Sequence, residues 1–384
     1  MKALLAINSL ETGGAETFFC HLARGLAEAG HTVYCWQLFY SVQNPAYEAI
    51  LNHPNIIAFT PPIGDVKLLV QKPKLLKKWW VKNRLSRFIK QHEIQLINTH
   101  LFETDCFSVH YINLPHVVSM HGSYEMYLDK PEIFARDCIF RDYPINRLMD
   151  RVFSKTDYVI TAAKKNEIAF SKASKIPANG RVYYGRPLSH KLNDSTEIKR
   201  IGMLARGLES KGWRNLLMAY SALLLEFPEL KVLLGYTPSA YMEELQSEFL
   251  HLDGIEWREQ VTDPIEFFSA IDLFVFPTQY PAESLPNVVI ESLACQVPVL
   301  ATDIGEIETM LSSDEGMAGH CLPHTLDSNA LIEALVVQLR NWLVNPSQYM
   351  NVKRCCKPAF TKFDLALSAS NYERIFNEVI KRHG

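Results

Sequence analysis

Short apolar runs alternate along the whole chain with longer stretches in which apolar residues recur every three to four positions. Lys2 to Asn8 has the pattern of a strand, and Thr17 to Glu28 has helical spacing that Gly30 brings to a stop. His116 to Met120 is strand-like again. In the second half Arg200 to Ala205, Lys231 to Gly235, Gly254 to Trp257, Leu273 to Phe276 and Val297 to Ala301 read as strands. Helices are predicted between them at Asn215 to Phe227, Tyr241 to Phe249 and Pro264 to Ala270. A loop and helix follow at Gly305 to Leu311, then a long amphipathic helix at Asn329 to Leu343. Such alternation predicts α/β architecture, with parallel sheets covered by helices. The stretch Gly185 to Glu197 is polar and has neither apolar period, so it marks a boundary. The expected division is 1–185, 186–364 and a last helix in 365–384, with Tyr372, Ile375, Phe376 and Val379 along one side.

At 384 residues the chain is long enough for two domains, each with its own core. A net charge of -3 argues against bulk nucleic-acid binding. No run approaches the ~18 uninterrupted apolar residues of a membrane span, and the apolar start at Met1 is too short for a signal peptide, so a cytoplasmic protein is expected. The cysteines have no metal-ligand spacing and are expected to be reduced thiols, without a zinc site.

Candidate chemistry concentrates between Arg206 and Glu308. Glu283 and Glu291 stand eight residues apart. On one continuous helix that spacing would part them by about 12 Å along the axis, too far to grip one sugar. Pro286 is suited to the first turn of a helix, which puts Glu283 on a loop and Glu291 inside the helix. The loop carboxylate can hold sugar hydroxyls while free helix amides face a phosphate, and the helix carboxylate can reach a ribose. Upstream, Arg206-Gly-Leu-Glu-Ser-Lys211-Gly lies at a strand-to-helix turn. A forked guanidinium and a mobile ammonium five residues apart suit a diphosphate. Gly13 and Gly14 make a glycine turn between strand and helix, a weak phosphate-loop signal by itself. His121 ends a strand, where a histidine more often just satisfies local hydrogen bonds.

Together these segments resemble the retaining GT-B glycosyltransferases of family 4, the glycosyl transferases of group 1. The resemblance rests on the Arg206-x4-Lys211-Gly turn, the Glu283-x7-Glu291 segment and the following Ala294-Cys-Gln-Val-Pro-Val strand. It implies two Rossmann-like domains facing across a cleft, with an acceptor-side amino-terminal domain, a nucleotide-sugar domain and a terminal helix crossing back to the first. It also implies transfer of a sugar from a nucleoside diphosphate sugar, UDP favoured, with retention and without a metal or other cofactor. Glu283, His121, Arg206 and Lys211 would be catalytic, and Gly13, Gly14, Ser284, Leu285, Glu291 and Glu308 would bind the donor. Departures are Ser284-Leu285 in place of the family's glycine-bearing turn, Gln296 after Ala-Cys where glycine is common, and Tyr184 before Gly185 where asparagine is usual. They bear on donor identity.

Three other uses of these residues stay in view. A glycoside hydrolase also uses two carboxylates but has no need of phosphate-binding cations. An oxidoreductase would need Gly-x-Gly-x-x-Gly after the first strand, where Ser9-Leu-Glu-Thr-Gly13-Gly14 does not fit. A non-catalytic sugar-nucleotide-binding scaffold is the alternative from a different class. The expected acceptor is a saccharide or lipid-linked one, of a bacterial cell-surface polysaccharide or lipopolysaccharide.

Residues 66–90 stand apart, with nine basic residues and no acid around Trp79 and Trp80. A basic amphipathic helix with tryptophan suits an anionic membrane surface, which would make the protein peripheral on the inner face of the cytoplasmic membrane. The same run also reads as a solvated helix packed on its own domain. Its one-sided charge favours the membrane.

Overall fold

Each short apolar run at 2–8, 116–120, 200–205 and 273–276 is a buried strand, and the strands form two parallel sheets. A computed structural model describes the chain apart from residues 12, 40–44, 59–73, 122–144, 165, 169–178 and 282, and describes 74–78 and 145–146 as backbone alone. Contacts divide the protein into two units, Met1–Gly185 with Leu365–Gly384, and Arg186–Asp364.

In the first unit the strands are β1 (Lys2–Ile7), β2 (Thr32–Gln37), β3 (Ile56–Ala58), β4 (Leu96–His100), β5 (His116–Met120), β6 (Tyr158–Thr161) and β7 (Asn179–Arg181). Their order across the sheet is β3-β2-β1-β4-β5-β6-β7, with every neighbour parallel. β1, β4 and β5 are almost wholly buried, as expected for central strands covered on both faces. The helix Leu365–His383 packs in this unit. Its Leu365 and Ala369 lie against Gly25 so closely that a Cβ there would come within 3.0 Å of Ala369, and Tyr372 reaches Ser119 of β5.

The second unit holds β8 (Arg200–Ala205), β9 (Lys231–Tyr236), β10 (Ile255–Glu259), β11 (Leu273–Phe276) and β12 (Val299–Thr302). A small hairpin of β13 (Ser312–Ser313) and β14 (Gly316–Met317) precedes β15 (Gly319–Leu322). The sheet order is β10-β9-β8-β11-β12-β15, again parallel throughout. The hairpin and β15 are additions to the sequence reading. In both sheets the strand order reverses beside the first strand, between β1 and β4 and between β8 and β11. Open parallel sheets bind ligands beyond the carboxyl ends of the strands at such a switch point.

Two helix starts correct the sequence reading. Gly13 is an extended cap and the first helix runs Gly14–Glu28, so it starts three residues ahead of the expected Thr17. Pro286 caps the helix Asn287–Ala294 from outside rather than entering its first turn.

Candidate functional site

At the switch point of the second sheet, β8 delivers Arg206 to Lys211 and β11 delivers Thr278 to Glu283. The first segment is pinned at both ends. Gly207 N–H donates to Thr237 Oγ1 (2.9 Å) and its carbonyl accepts from Ser239 Oγ (2.7 Å), while a Cβ at 207 would meet Thr237 O at 2.3 Å. The indole of buried Trp213 donates to Arg206 O (3.0 Å). A short turn, Glu209–Lys211, then ends in Gly212 at φ +85°, where a Cβ would come within 2.1 Å of Pro277 O. Only glycine lets the two loops pass so closely, and Gln279 N–H joins them by donating to Ser210 O (2.8 Å).

Lys211 Nζ lies 2.5 Å from Glu283 Oε2, and the side chains are 7% and 11% exposed. Thr278 Oγ1 donates to the same carboxylate oxygen (3.3 Å). The ring of Tyr280 stands beside both cations, 4.5 Å from the Lys211 ammonium and 5.5 Å from the exposed Arg206 guanidinium. Tyr280 carried no signal in the sequence beyond its place after a strand and before Pro281. The loop is held from the other side, since Glu306 N–H donates to Ser284 O (2.9 Å) and Gly305, at φ +67°, leaves no room for a Cβ beside that oxygen. Leu285 is buried beneath the loop.

Glu291, inside the helix Asn287–Ala294, has its Oε1 3.7 Å from Nε of buried Arg186. Burial pushes its carboxyl above the usual range, and the Arg186 charge partly offsets that. Arg186 was not singled out in the sequence because it sits in the polar boundary segment. Its backbone N–H donates to Phe363 O (2.8 Å), which fixes the start of the unit. Glu308 is exposed in the first turn of the helix Ile307–Leu311, and the residue whose backbone touches the 283–284 loop is Glu306.

Gly13, Gly14 and His121 lie in the first unit. The expected phosphate-facing turn is already occupied by polar partners. Gly13 N–H donates to Tyr47 Oη (3.2 Å), and the Glu16 carboxylate lies where a Cβ on Gly13 would be, 2.2 Å from its oxygen. Burial raises the Glu16 pKa, and the residue's own backbone N–H partly offsets this. The Glu16 carboxyl therefore shares this helix start with the turn expected to face a phosphate. His121 follows β5 directly and has both ring nitrogens engaged, Nε2 with His100 Nδ1 and Nδ1 with Tyr184 Oη, each at 2.8 Å. Burial lowers its pKa to about 3, so the ring is neutral. Both ring nitrogens are thus committed to partners within the first unit, and what the ring leaves open is an edge. The neighbouring Gly122 and Ser123 lie outside the described residues.

The sequence matches two family models in succession. Residues 12–178 match the one described as Glycosyltransferase Family 4, and residues 198–341 the one described as Glycosyl transferases group 1. The chain is 29% identical over 131 residues to the capsular polysaccharide biosynthesis glycosyltransferase CapM of Staphylococcus aureus, a stretch that spans 33% of each protein. It therefore covers about a third of the length of that curated relative. In three dimensions it is similar to sucrose-phosphate synthase from Thermosynechococcus elongatus, with a TM-score of 0.72 at 16% identity and 100% of both chains covered. It is similar as well to HepE of Anabaena in complex with UDP, with a TM-score of 0.72 at 16% identity over 98% of this chain and 100% of that one.

Proposed function

We propose, from the premise that the chain belongs to the group 1 glycosyltransferases of GT-B fold, that it moves a sugar from a nucleoside diphosphate sugar to an acceptor hydroxyl with retention at the anomeric carbon. The observation that carries this reading is the meeting of Arg206, Lys211 and Glu283 at one switch point. Departure of a nucleoside diphosphate builds negative charge on its β-phosphate. An exposed guanidinium and a fixed ammonium beside that position stabilise the transition state more than the ground state, and they do the work a divalent cation does elsewhere. Glu283, anchored by Lys211 and Thr278, keeps one carboxylate oxygen for sugar hydroxyls, and Glu291 is the acid for the ribose. UDP as the nucleotide is supported by HepE, whose structure is of a UDP complex. A bacterial cell-surface polysaccharide as the product is supported by CapM, a capsular polysaccharide biosynthesis glycosyltransferase.

Membrane association belongs to the same proposal. The helix Lys74–His92 buries Val81 and Leu85 in the core of the first unit and turns Lys82, Arg84, Arg87 and Lys90 outward, with Trp79 68% exposed. Lys67 and Lys72 lie outside the described residues, as do the side chains of Lys74, Lys77 and Lys78.

The test is release of nucleoside diphosphate from a panel of UDP- and GDP-sugars, with saccharide acceptors and with a chelator present. Turnover that persists in the chelator, an α-to-α or β-to-β product by NMR, and a loss of about 100-fold or more in Glu283→Ala and Lys211→Ala are expected. A chain whose melting temperature rises with a nucleotide sugar but which never releases the diphosphate is a sugar-nucleotide-binding scaffold instead.

A further inference from the structure

We propose that His100 is a positioning residue for His121, the two forming a one-way hydrogen-bond chain that decides which nitrogen of His121 carries its proton. This rests on the reading of His121 as a donor-side residue.

The direction of the chain is set at its buried end by a group that can only accept. Asn98 Nδ2 donates to the carbonyl of Val117 (3.0 Å) and to Ser119 Oγ (2.9 Å), so the amide cannot be flipped and Asn98 Oδ1 must face His100. His100 Nε2 lies 2.8 Å from that oxygen and therefore carries a proton. Burial, then the neighbouring His121, push the His100 pKa well below its ordinary value, so the ring is neutral and its Nδ1 is a bare acceptor. His121 Nε2, 2.8 Å away, must then be the donor. With His121 neutral too, its Nδ1 is an acceptor and Tyr184 Oη–H donates to it. Each step follows from the one before, back to Val117 O.

Packing holds the rings in this arrangement. Phe19 meets His100 edge-on at 5.2 Å, and Phe18 stacks on Tyr184 at 4.4 Å while meeting His121 edge-on at 5.6 Å. Both phenylalanines come from the helix that Gly13 caps. At the far end Ser119 Oγ lies 3.0 Å from Tyr372 Oη, so the terminal helix closes the network. A neutral ring with both nitrogens committed cannot shuttle protons. His121 instead offers a fixed ring edge, and His100 fixes it, as the second nitrogen of a functional histidine commonly needs.

The test is two-bond ¹H–¹⁵N NMR of the histidine rings in the full chain, beside donor turnover. In the wild type His121 is expected as the Nε2–H tautomer, with an unprotonated Nδ1, from pH 5 to 8. His100→Phe is expected to mix the tautomers and to lower kcat/KM by up to about 100-fold, mainly through kcat. His100→Gln, which keeps one donor and one acceptor, is expected to restore both in large part. A wild-type His121 that is cationic or Nδ1-protonated overturns the proposal whether or not any variant folds. So does an unchanged His121 tautomer in His100→Phe. Turnover that survives His121→Ala removes the donor-side role instead, and leaves the tautomer readout to decide the chain by itself.

Discussion

Lys211 Nζ and Glu283 Oε2 stand 2.5 Å apart although 72 residues of chain separate them, and both side chains are nearly buried. Removing one partner leaves the other charge buried without its counter-ion, at a cost of about 3 kcal/mol. Lys211→Met and Glu283→Gln are each expected to lower stability on that scale, while the double variant loses clearly less than their sum. Denaturant unfolding of the four proteins measures the coupling. Strict additivity would mean that the pair is not an interacting unit.

Arg186 and Glu291 give a prediction with a sign. Glu291's folded pKa lies above its ordinary value, so the native state holds a proton that the unfolded chain has released, and this group's own contribution to stability falls as pH rises between the unfolded and folded values. Arg186 limits that window. In Arg186→Met the carboxyl climbs further, so the decline should continue to higher pH than in the wild type. Adding Glu291→Gln should remove it. Urea midpoints across pH 4 to 8 check this, and parallel wild-type and variant curves would refute it.

Arg200–Ala205, Leu273–Phe276 and His116–Met120 were legible to the residue, because a fully buried parallel strand is a short apolar run with polar ends. Helix starts were less so. The first helix starts at Gly14 rather than at the expected Thr17, because glycine is tolerated in a turn and in a first helical turn alike and so does not mark the boundary. Arg206, Lys211 and Glu283 were visible as residue types fitted to a diphosphate and a sugar. Arg186 and Tyr280 were not, since each matters through a partner 105 or fewer residues away that only folding supplies. His100 was hidden for a different reason: a histidine within an apolar strand looks like core filling until a second ring is found 2.8 Å from it.

The buried polar groups of the first unit predict acid lability. His116 is lowered to about 4 and His121 to about 3, with His100 well below its ordinary value, all chiefly by burial. Asp105, 2.5 Å from Thr99 Oγ1, is pushed by burial up to about 7. Between pH 4 and 6.5 the unfolded chain takes up three protons at these sites and the native state holds one, a net of two, so stability rises with pH. Asp105→Asn removes the opposing proton and should steepen that rise by about 1.4 kcal/mol per pH unit. Urea midpoints between pH 4.5 and 6.5 provide the check, and a shallower slope in the variant would contradict the assignment.

The outward cations of the helix Lys74–His92 predict binding to anionic vesicles that salt weakens. Each cation near the headgroups contributes about 1 kcal/mol, so Lys82→Glu, Arg84→Glu and Arg87→Glu together should reduce the bound fraction in sedimentation by well over tenfold. Equal binding by the triple variant, or equal binding to neutral vesicles, would leave the helix as an ordinary solvated face.

Gly30 and Gly212 have nearly the same backbone, φ +88° and +85°, but different surroundings. A Cβ on Gly30 would meet nothing within 4 Å, whereas one on Gly212 would press to 2.1 Å on Pro277 O. Gly30→Ala is therefore expected to cost only the left-handed strain, about 1 kcal/mol, with turnover unchanged. Gly212→Ala must in addition part the loop that carries Lys211 from the one that carries Glu283. It should lose more stability than Gly30→Ala and most of its turnover. Thermal unfolding and donor turnover of the two variants, side by side, separate strain from displacement. Retention of full activity in Gly212→Ala would show that the close passage of the two loops is not what places Lys211 against Glu283.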